Sequence, residues 1–341
     1  MSMPIASCDK PLSVAYDYLF LDLDGVCYRG SLPVANAAEG LSQARSAGSG
    51  AAFITNNSMA SPPNVVKKLH SVGIDAVSDE IYTSSRTGVA QLLEHIEPGS
   101  KVLPLGTEGL LYELERVDLE VVHSADENPD AVIQGLSTNL SWQELSEAAL
   151  AIRSGALYVA TNLDATLPLE RGEYLGCGSM VAAVVHATGI QPLSSGKPAP
   201  DMYRLAMADT GAHNPLCVGD RLNTDIAGAN AAGLPSLHVL TGVSQTRDIM
   251  LAADNERPTY LGIDMLDLHR PAPAVVSDGE SFICNGVKAR VDEGSLVLND
   301  DAVGETITLD EYRALVAAVW SAIDAGTFRE DLAIGELRVV R

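Results

Sequence analysis

The stretch that decides the fold is Tyr18-Leu-Phe-Leu-Asp-Leu-Asp-Gly-Val-Cys-Tyr-Arg-Gly30. In it, an apolar run from Leu19 to Leu21 leads to Asp22 and Asp24, and Gly25 then breaks the extended backbone. A short apolar run bounded by a turn signal is typical of a buried strand in a parallel sheet. Ligands of such sheets bind at the carboxyl ends of the strands, so the two carboxylates emerge where a site is expected.

Two carboxylates that face one point repel each other unless a positive charge lies between them. Asp22 and Asp24 therefore predict a hard cation, most simply Mg²⁺, with oxygen ligands. Taken alone, the pattern is equally compatible with a strand end that exposes two acids for solubility. The rest of the chain is needed to choose between these two interpretations.

The charge of the chain restricts its partners. The 341 residues suggest two or three folding units, and 22 Lys and Arg against 45 Asp and Glu give a net charge of -23. Such acidity argues against binding to nucleic acid or to an anionic membrane surface. It also means that an anionic substrate needs a local positive centre to be held.

Cysteine usage and hydropathy predict a cytoplasmic protein. The five cysteines contain no C-x-x-C pair, which fits reduced thiols better than a disulfide framework. No stretch approaches transmembrane length, and the first residues show no signal-peptide pattern. We therefore expect no membrane insertion.

A second strand end carries hydroxyl and amide side chains. Ala51 to Ile54 is predicted to be a buried strand, and Thr55, Asn56, Asn57 and Ser58 follow it. Their side chains and freed N–H groups suit phosphate oxygens. An Asx turn that caps the following helix explains them equally well.

Two further segments place charged residues after turns. Lys197 lies between a glycine and a proline, so rigid backbone rather than helical periodicity positions it. The predicted strand 216–218 is followed by Asp220, Arg221 and Asp225. The alternative explanations are a solvated loop lysine for Lys197 and acids favoured by a helix N-terminus for Asp220 and Asp225. Arg221 could reach a substrate or pair with surface acids.

The order of elements predicts a doubly wound parallel sheet of the α/β class, because strands and helices alternate. We assign residues 12–96 and 188–270 to this core. Residues 97–187 form a separate small α/β block, which includes the capping box Ser141-Trp-Gln-Glu144 and an irregular stretch at 165–178. We interpret the block as a cap inserted over the strand ends.

The last segment, residues 272–341, has a different character. Short strands precede a second capping box, Thr308-Leu-Asp-Glu311, which predicts a helix with one apolar face that ends near Gly326. A segment of this size folds only with help from a neighbour. We expect a small α+β extension that braces the core, although an oligomer contact or a regulatory domain is also compatible with the sequence.

In this order, the four strand-end motifs resemble those of the haloacid dehalogenase-like phosphatases, over about residues 16–262. The insertion resembles the C2 cap of the NagD-like branch, which includes p-nitrophenyl phosphatase-like enzymes and phosphatases of pyridoxal phosphate, phosphoglycolate or glycerol 3-phosphate. The stretch from Gln134 through Thr161-Asn-Leu-Asp to Gly196-Lys-Pro is most similar to actinobacterial members that cleave glycerol 3-phosphate. The resemblance implies a Rossmann-like core, and the extension resembles a small acetyltransferase-like fragment.

The resemblance also implies roles for the motif residues. Asp22 would attack phosphorus and form an aspartyl-phosphate, and Asp24 would protonate the leaving group and then activate water. Asp22, the backbone carbonyl of Asp24, and Asp220 would bind Mg²⁺, while Asp225 would orient the metal's waters or Lys197. The resemblance implies contacts to the substrate for Thr55, Asn56, Asn57, Asn162, Lys197 and Arg221. Of these, Thr55 and Lys197 would also take part in catalysis.

We therefore expect a Mg²⁺-dependent phosphatase of a small phosphorylated metabolite, with glycerol 3-phosphate as the substrate that the resemblance implies. The same chemistry on phosphoglycolate, pyridoxal phosphate, nucleotides or aryl phosphates is the nearest alternative, and a phosphomutase is a further one. A non-catalytic sensor of a phosphorylated metabolite is the alternative of another class. The sequence leaves open whether the chain forms a homo-oligomer.

Overall fold

The computed structural model describes residues 5–169, 171–292, 295–328 and 335–341. Its internal contacts divide the chain into two compact units. The first unit contains Met1–Ala52, Val72–Ile74 and Thr210–Arg341, and the second contains Phe53–Ser71 and Asp75–Asp209. The division into a core, a cap and an extension remains a prediction.

The α-helices of the described chain are α1 (Leu12–Ala15), α2 (Ala37–Ser46), α3 (Pro62–Ser71), α4 (Ser84–Leu93), α5 (Glu108–Leu114), α6 (Trp142–Arg153), α7 (Cys177–Thr188), α8 (Asp201–Thr210), α9 (Ala227–Ala232), α10 (Thr246–Met250) and α11 (Leu309–Asp324). The first strands are β1 (Tyr18–Leu21), β2 (Tyr28–Arg29), β3 (Leu32–Pro33), β4 (Gly50–Thr55), β5 (Ile81–Thr83), β6 (Lys101–Leu105), β7 (Glu120–Val121), β8 (Ala131–Gln134), β9 (Leu157–Ala160), β10 (Thr166–Leu169) and β11 (Gly172–Leu175). The remaining strands are β12 (Leu193–Ser194), β13 (Pro215–Gly219), β14 (Ser236–Val239), β15 (Tyr260–Gly262), β16 (Val275–Ser277), β17 (Phe282–Cys284), β18 (Val287–Asp292), β19 (Ser295–Leu298), β20 (Asp301–Ala302), β21 (Thr306–Thr308) and β22 (Arg338–Val340).

The first unit contains a parallel sheet in which the strands follow the order β15-β14-β13-β1. Every residue of β13 is buried, and three of the four residues of β1 are buried. Continuous burial is expected for parallel strands that are covered on both faces. The predicted α/β class with a parallel sheet is therefore confirmed.

The C-terminal segment belongs to this first unit. Strands β16 to β20 form an antiparallel sheet in chain order, and β21 pairs with β22 in parallel. The capping box opens α11 as predicted, because Thr308 Oγ1 accepts the Glu311 N–H and the Glu311 carboxylate accepts the Thr308 N–H. Helix α11 is buried along most of its length and shares one hydrophobic cluster with α10 and β15. Every residue from Tyr312 to Trp320 is buried, so this part of the helix is covered on all faces and not on one face alone as predicted.

The second unit contains a parallel sheet in which the strands follow the order β12-β9-β8-β6-β7. The central strand β8 is fully buried, and α6 begins at the predicted capping box of Ser141 and Glu144. The end of β4 pairs in parallel with β5 in the same unit. The boundary between the units falls within β4, so Thr55 and the residues that follow it as far as Ser71 belong to the second unit.

The prediction of an irregular stretch at 165–178 is wrong. Strands β10 and β11 form an antiparallel pair there, in which Thr166 lies opposite Leu175. Pro168 and the glycines hid the pattern, because they are usually depleted in strands. In a pair of two strands every strand is an edge, where proline is tolerated.

No helix within the described ranges has both the length and the apolar character that a membrane crossing requires.

Candidate active site

Three aspartates of the first unit form a compact cluster of carboxylates. One oxygen from each of Asp22, Asp220 and Asp225 lies within 4.8 Å of the other two. Asp220 and Asp225 are buried, and Asp22 is half-buried. Among the residues that the structure describes, this is the one group of three such side chains close enough to share a metal ion.

The sheet explains why Asp22 and Asp220 meet. Each follows one of two neighbouring parallel strands, and Leu21 at the end of β1 lies opposite Val218 in β13. The Asp22 N–H donates to the Val218 carbonyl at 2.9 Å, which continues the strand pairing up to the site. The carboxyl ends of parallel strands share one edge of the sheet, which is where ligands of such sheets bind.

A loop at residues 241–245, between β14 and α10, holds Asp220 in place. The Val243 N–H donates to Asp220 Oδ2 at 2.6 Å, and the Ser244 N–H donates to the Asp220 carbonyl at 3.0 Å. The Ser244 hydroxyl also accepts the Leu222 N–H at 3.2 Å, two residues after Asp220. Both the side chain and the backbone of Asp220 are therefore fixed by this loop.

Two glycines allow the backbone to approach the Asp220 carboxylate closely. Gly25 has a φ of +95°, and a Cβ at this position would lie 2.5 Å from Asp220 Cγ. A Cβ at Gly242 would overlap the same carboxylate. The two backbone segments are tied together, because the Thr241 hydroxyl donates to the Gly25 carbonyl at 2.7 Å. Glycine is required at both positions for steric reasons.

Asp225 supports the turn that follows β13. Its Oδ2 accepts the N–H groups of Asp220 at 3.2 Å and of Arg221 at 3.0 Å. It lies in a π-helical turn, Leu222–Ile226, that leads into α9. Asp225 therefore fixes the backbone that carries Asp220, in addition to placing its own carboxylate in the cluster.

The donor atoms of the cluster fit a magnesium ion. They are carboxylate oxygens, which are the ligands that Mg²⁺ prefers, and three acids this close favour a bound cation. The predicted side-chain ligands Asp22 and Asp220 both belong to the cluster. Coordination by the backbone carbonyl of Asp24 remains a prediction, as does an orienting role for Asp225.

The residues that follow Asp22 differ in exposure. The side chain of Asp24 is exposed, whereas Cys27 is buried and its thiol donates to the Asp22 carbonyl at 3.4 Å. Burial raises the pKa of Cys27, and the nearby charge of Asp22 raises it further. The thiol is therefore protonated and packs as a small apolar group, rather than as a reactive thiolate.

His238 in β14 contacts the same site from a buried position. Its Nε2 lies 3.0 Å from the Asp220 carbonyl, and burial lowers the pKa of His238 to about 4. The imidazole is therefore neutral near pH 7, and Nε2 carries the proton because a carbonyl oxygen only accepts. His238 thus adds a second donor to the Asp220 backbone.

In the second unit, Lys197 is held by contacts with the end of β4. Lys197 is 3% exposed, and its Nζ donates to the Ile54 carbonyl at 3.1 Å. The Asn56 side chain accepts the Lys197 N–H at 2.8 Å and donates to the Lys197 carbonyl at 2.9 Å. The peptide bond between Lys197 and Pro198 is cis. Because Lys197 is buried and both its ammonium group and its backbone are hydrogen-bonded, it is a fixed residue and not a solvated loop lysine.

The other residues at the end of β4 bind their own backbone. The Thr55 hydroxyl accepts the Asn57 N–H at 3.2 Å, and Asn57 Oδ1 accepts the Met59 N–H at 2.8 Å. The Asx-turn alternative is thus present at Asn57. Substrate contacts by Thr55, Asn56 and Asn57 remain predictions.

Asn162 and Asp164, after β9, also pair with Asn56. Asn162 is buried, and its Nδ2 donates to the Asn56 carbonyl at 2.8 Å. The Asp164 carboxylate accepts from Asn56 Nδ2 at 3.1 Å. In the described chain Asn162 thus connects segments of one unit, and its predicted influence on the substrate stays a prediction. Arg221 is half-buried at the start of the turn after β13.

Sequence reasoning missed the 241–245 loop and the contact of His238 with Asp220. The loop acts largely through backbone N–H groups, which every residue except proline carries, so side-chain motifs do not reveal it. The one available signal was Gly242, within the sequence Thr-Gly-Val-Ser at residues 241–244. His238 donates to the backbone of a proposed metal ligand, and this contact joins residues from two different strand ends that no local motif connects.

Family models agree with the position of this site. A model described as haloacid dehalogenase-like hydrolase matches residues 19–120, and one described as HAD-hydrolase-like matches residues 194–268. The first range contains Asp22, Thr55 and Asn56, and the second contains Lys197 and the aspartates after β13.

Known proteins resemble the chain over most of its length. It is 42% identical over 336 residues to a D-glycerol 3-phosphate phosphatase of Mycobacterium tuberculosis, covering 95% of this chain and 92% of that protein. It is 34% identical over 252 residues to an acid sugar phosphatase of Staphylococcus saprophyticus, covering 73% of this chain and 95% of that protein. A crystal structure of a glycerol phosphate phosphatase from Mycobacterium tuberculosis in complex with magnesium superposes with a TM-score of 0.84 at 40% identity, covering 97% of this chain and 96% of that one.

Proposed function

Because this chain belongs to the haloacid dehalogenase-like hydrolase family, we propose that it is a Mg²⁺-dependent phosphatase that hydrolyses D-glycerol 3-phosphate. The observation that carries the proposal is the cluster of Asp22, Asp220 and Asp225 in the first unit. The substrate is suggested by the relative from Mycobacterium tuberculosis, which matches nearly the whole chain. The assignment of the substrate to the class of phosphate monoesters rests on the same comparison.

Asp22 acts as the nucleophile in this proposal. One of its carboxylate oxygens forms a bond to phosphorus while the bond from phosphorus to the ester oxygen breaks, which gives an aspartyl-phosphate and an alkoxide. Water then attacks phosphorus, releases phosphate and restores the Asp22 carboxylate. The fixed backbone of Asp22, which donates to Val218, keeps the carboxylate at the edge of the sheet.

Asp24 transfers the protons for both steps. In its acid form it protonates the leaving alkoxide, and as a carboxylate it then takes a proton from the attacking water. Its side chain is exposed, so it can exchange protons with solvent. Asp22 and Asp24 are separated by one residue, and the turn at Gly25 allows both carboxylates to serve one phosphoryl group.

Asp22, Asp220 and the backbone carbonyl of Asp24 would hold the magnesium ion, and Asp225 would fix the backbone of Asp220. When bound, the ion would neutralise negative charge shared by the nucleophile and the phosphoryl group. The negative charges of the Asp22 carboxylate and the phosphoryl group must be compensated. Two like unit charges about 4 Å apart, at an effective dielectric constant of about 20, repel by about 4 kcal/mol. A dianionic substrate doubles this cost.

Lys197 supplies the second positive charge in this proposal. Its buried ammonium group is held near the end of β4, and Thr55 and Asn56 would contact the phosphoryl oxygens with a hydroxyl and an N–H group. Asn57 and Arg221 are further proposed contacts to the substrate.

We also propose a cytoplasmic location, because all five cysteines are free thiols in the structure. The partner is a small phosphorylated metabolite. A homo-oligomer remains a prediction, and Asn162 remains a candidate for selecting the leaving group.

A substrate panel tests the proposed function. Phosphate release is measured with D-glycerol 3-phosphate, phosphoglycolate, pyridoxal phosphate, a nucleotide and p-nitrophenyl phosphate, each with Mg²⁺ and with EDTA. We expect the highest kcat/KM for D-glycerol 3-phosphate and loss of activity with EDTA. A higher kcat/KM for another ester would mean that this ester, and not D-glycerol 3-phosphate, is the preferred substrate. Absence of hydrolysis for all of the esters would refute the phosphatase assignment.

A further inference from the structure

We propose that the C-terminal segment positions the Asp220 side of the magnesium site, and that Thr246 is the residue through which it does so. The inference rests on the proposed magnesium-dependent function. It assigns to the described residues 309–324 (α11) and 335–340 of this segment a role in the geometry of the site, in addition to the bracing role that the size of the segment suggests.

The 241–245 loop contacts both Asp220 and the backbone turn that follows Asp22 and Asp24. Its Val243 N–H donates to the Asp220 carboxylate, and the Thr241 hydroxyl donates to the Gly25 carbonyl. Within the loop, Gln245 Nε2 donates to the Gly242 carbonyl at 2.7 Å, so the loop is a closed and compact turn. A displacement of its C-terminal end therefore reaches the Asp220 carboxylate over a few bonds.

The loop is followed directly by Thr246, the first residue of α10. Thr246 is buried, and its Oγ1 accepts the Leu337 N–H at 2.9 Å. The same hydroxyl can donate to Glu336 Oε2 at 3.1 Å or to the Leu337 carbonyl at 3.3 Å. A single threonine hydroxyl thus connects the end of the loop to the residues that immediately precede β22, which are about ninety positions away in the sequence.

The other end of α10 is held by α11. The Trp320 indole N–H donates to the Ile249 carbonyl at 2.8 Å, and both residues are buried. The Arg257 guanidinium lies 5.1 Å from the Trp320 ring centroid and pairs with Asp324 at 2.8 Å. With both ends fixed, α10 has little freedom to rotate or to slide.

The fixed helix matters for metal binding because ligand orientation depends on the groups that support the ligands. Without the Thr246 hydroxyl, the Leu337 N–H and the carboxylate of Glu336 lose a partner. The first turn of α10 then relaxes away from β22, and the 241–245 loop moves with it. The expected consequence is a less favourable position of the Asp220 carboxylate, and hence weaker Mg²⁺ binding.

The test compares Mg²⁺ binding by three variants of the complete protein. Thr246→Val removes the hydroxyl at nearly constant volume, and Thr246→Ser retains it. Leu298→Ala is the matched control, because Leu298 is buried in β19 of the same hydrophobic cluster and its side chain has no polar contact to lose. The Mg²⁺ dissociation constant is measured by calorimetry without substrate, and thermal unfolding without Mg²⁺ reports stability.

We expect Thr246→Val to weaken Mg²⁺ binding by about tenfold and Thr246→Ser to change it by less than about twofold. Leu298→Ala should lower the unfolding temperature and leave the Mg²⁺ dissociation constant unchanged. If Thr246→Val lowers only the unfolding temperature, the segment is a brace and the inference is wrong. If Thr246→Val does not fold, Glu336→Ala is tested instead, because Glu336 is exposed and Leu337 still pairs with Thr246 in that variant. We then expect a smaller loss of Mg²⁺ affinity. Mg²⁺ affinity equal to that of the wild type would overturn the inference.

The wild-type protein separates this inference from the proposed function. Wild-type protein that neither binds Mg²⁺ nor releases phosphate contradicts the proposed function itself. Wild-type protein that does both, beside a Thr246→Val variant with unchanged Mg²⁺ affinity, contradicts only the role of Thr246.

Discussion

The Asn56 side chain pairs with both polar backbone groups of Lys197, accepting its N–H at 2.8 Å and donating to its carbonyl at 2.9 Å. These residues are far apart in the sequence, yet a single amide group fixes the backbone that carries the proposed catalytic ammonium group. The Asn56 carbonyl is itself held by the hydroxyl of Ser84 at 2.7 Å. Asn56 is therefore a positioning residue for Lys197 as well as a proposed phosphate contact.

Asn56→Ala should reduce kcat/KM strongly while the protein remains folded. Loss of both hydrogen bonds frees the Lys197 backbone, and a displacement of about 1 Å in a catalytic group can cost about 100-fold in rate. Steady-state kinetics with the best substrate measures this loss. Asn64→Ala is the matched control, because Asn64 is exposed and pairs with Glu108 instead. Equal kinetics for the two variants would contradict the role of Asn56.

Gly242→Ala should weaken Mg²⁺ binding. A methyl group at this position overlaps the Asp220 carboxylate, so either the 241–245 loop or the carboxylate must move. We expect a loss of at least about tenfold in Mg²⁺ affinity, measured by calorimetry. Gly304→Ala serves as the control, since the nearest atom to a Cβ there is 3.9 Å away. Wild-type affinity in Gly242→Ala would show that Asp220 is not constrained as described.

Arg257→Ala should destabilise the first unit. Arg257 is almost fully buried, pairs with Asp324 and lies beside the Trp320 ring, so its removal leaves a partly buried carboxylate without its cation. Removing one partner of a buried ion pair typically costs about 3 kcal/mol or more. Chemical denaturation measures the change. Arg290→Ala, which breaks an exposed pair with Asp300, should leave stability nearly unchanged; comparable losses would argue against this explanation.

Glu113 should make stability fall as pH rises. Burial raises the pKa of its carboxyl group, and one of its oxygens has no hydrogen-bond partner in the described residues. A raised pKa in the folded state means that stability is lost as pH increases from the ordinary value of glutamate through the raised value. Glu113→Gln removes the titration, so the unfolding temperature of this variant should rise relative to that of the wild type as the pH increases above the ordinary pKa of glutamate.

Glu108 provides the control of opposite sign. Hydrogen bonds from Asn64 and Ser61 lower the pKa of Glu108, so its stabilisation is present above the ordinary pKa and is lost as pH falls through the lowered value. Glu108→Gln should therefore lose stability near neutral pH and approach the wild type in acid. Parallel pH profiles for the two variants would refute both assignments.

Much of the site could be predicted because its acids follow buried strands at fixed positions. Asp22 and Asp220 lie directly after apolar runs, and neighbouring parallel strands necessarily bring such positions to one edge of the sheet. The helices α6 and α11 were also predictable, since reciprocal capping by Ser141 and Thr308 is a local interaction encoded within four residues.

The contacts that hold the site were not predictable from the sequence. Val243 contributes an N–H group that carries no residue-specific signal, and Thr246 meets Leu337 through a pairing of high sequence separation. The pair of β10 and β11 was missed because its strands are short, largely exposed and interrupted by Pro168, so the usual alternation of burial is absent.

The most direct test of the central claim is to identify the residue that carries the phosphoryl group. The enzyme is quenched in acid during turnover with Mg²⁺, and its peptides are mapped by mass spectrometry. We predict one phosphoryl group on the peptide that contains Asp22, its absence when EDTA is present, and no phosphate release by Asp22→Asn. Phosphate release by Asp22→Asn at the wild-type rate, or a phosphoryl group on another residue, would contradict the account.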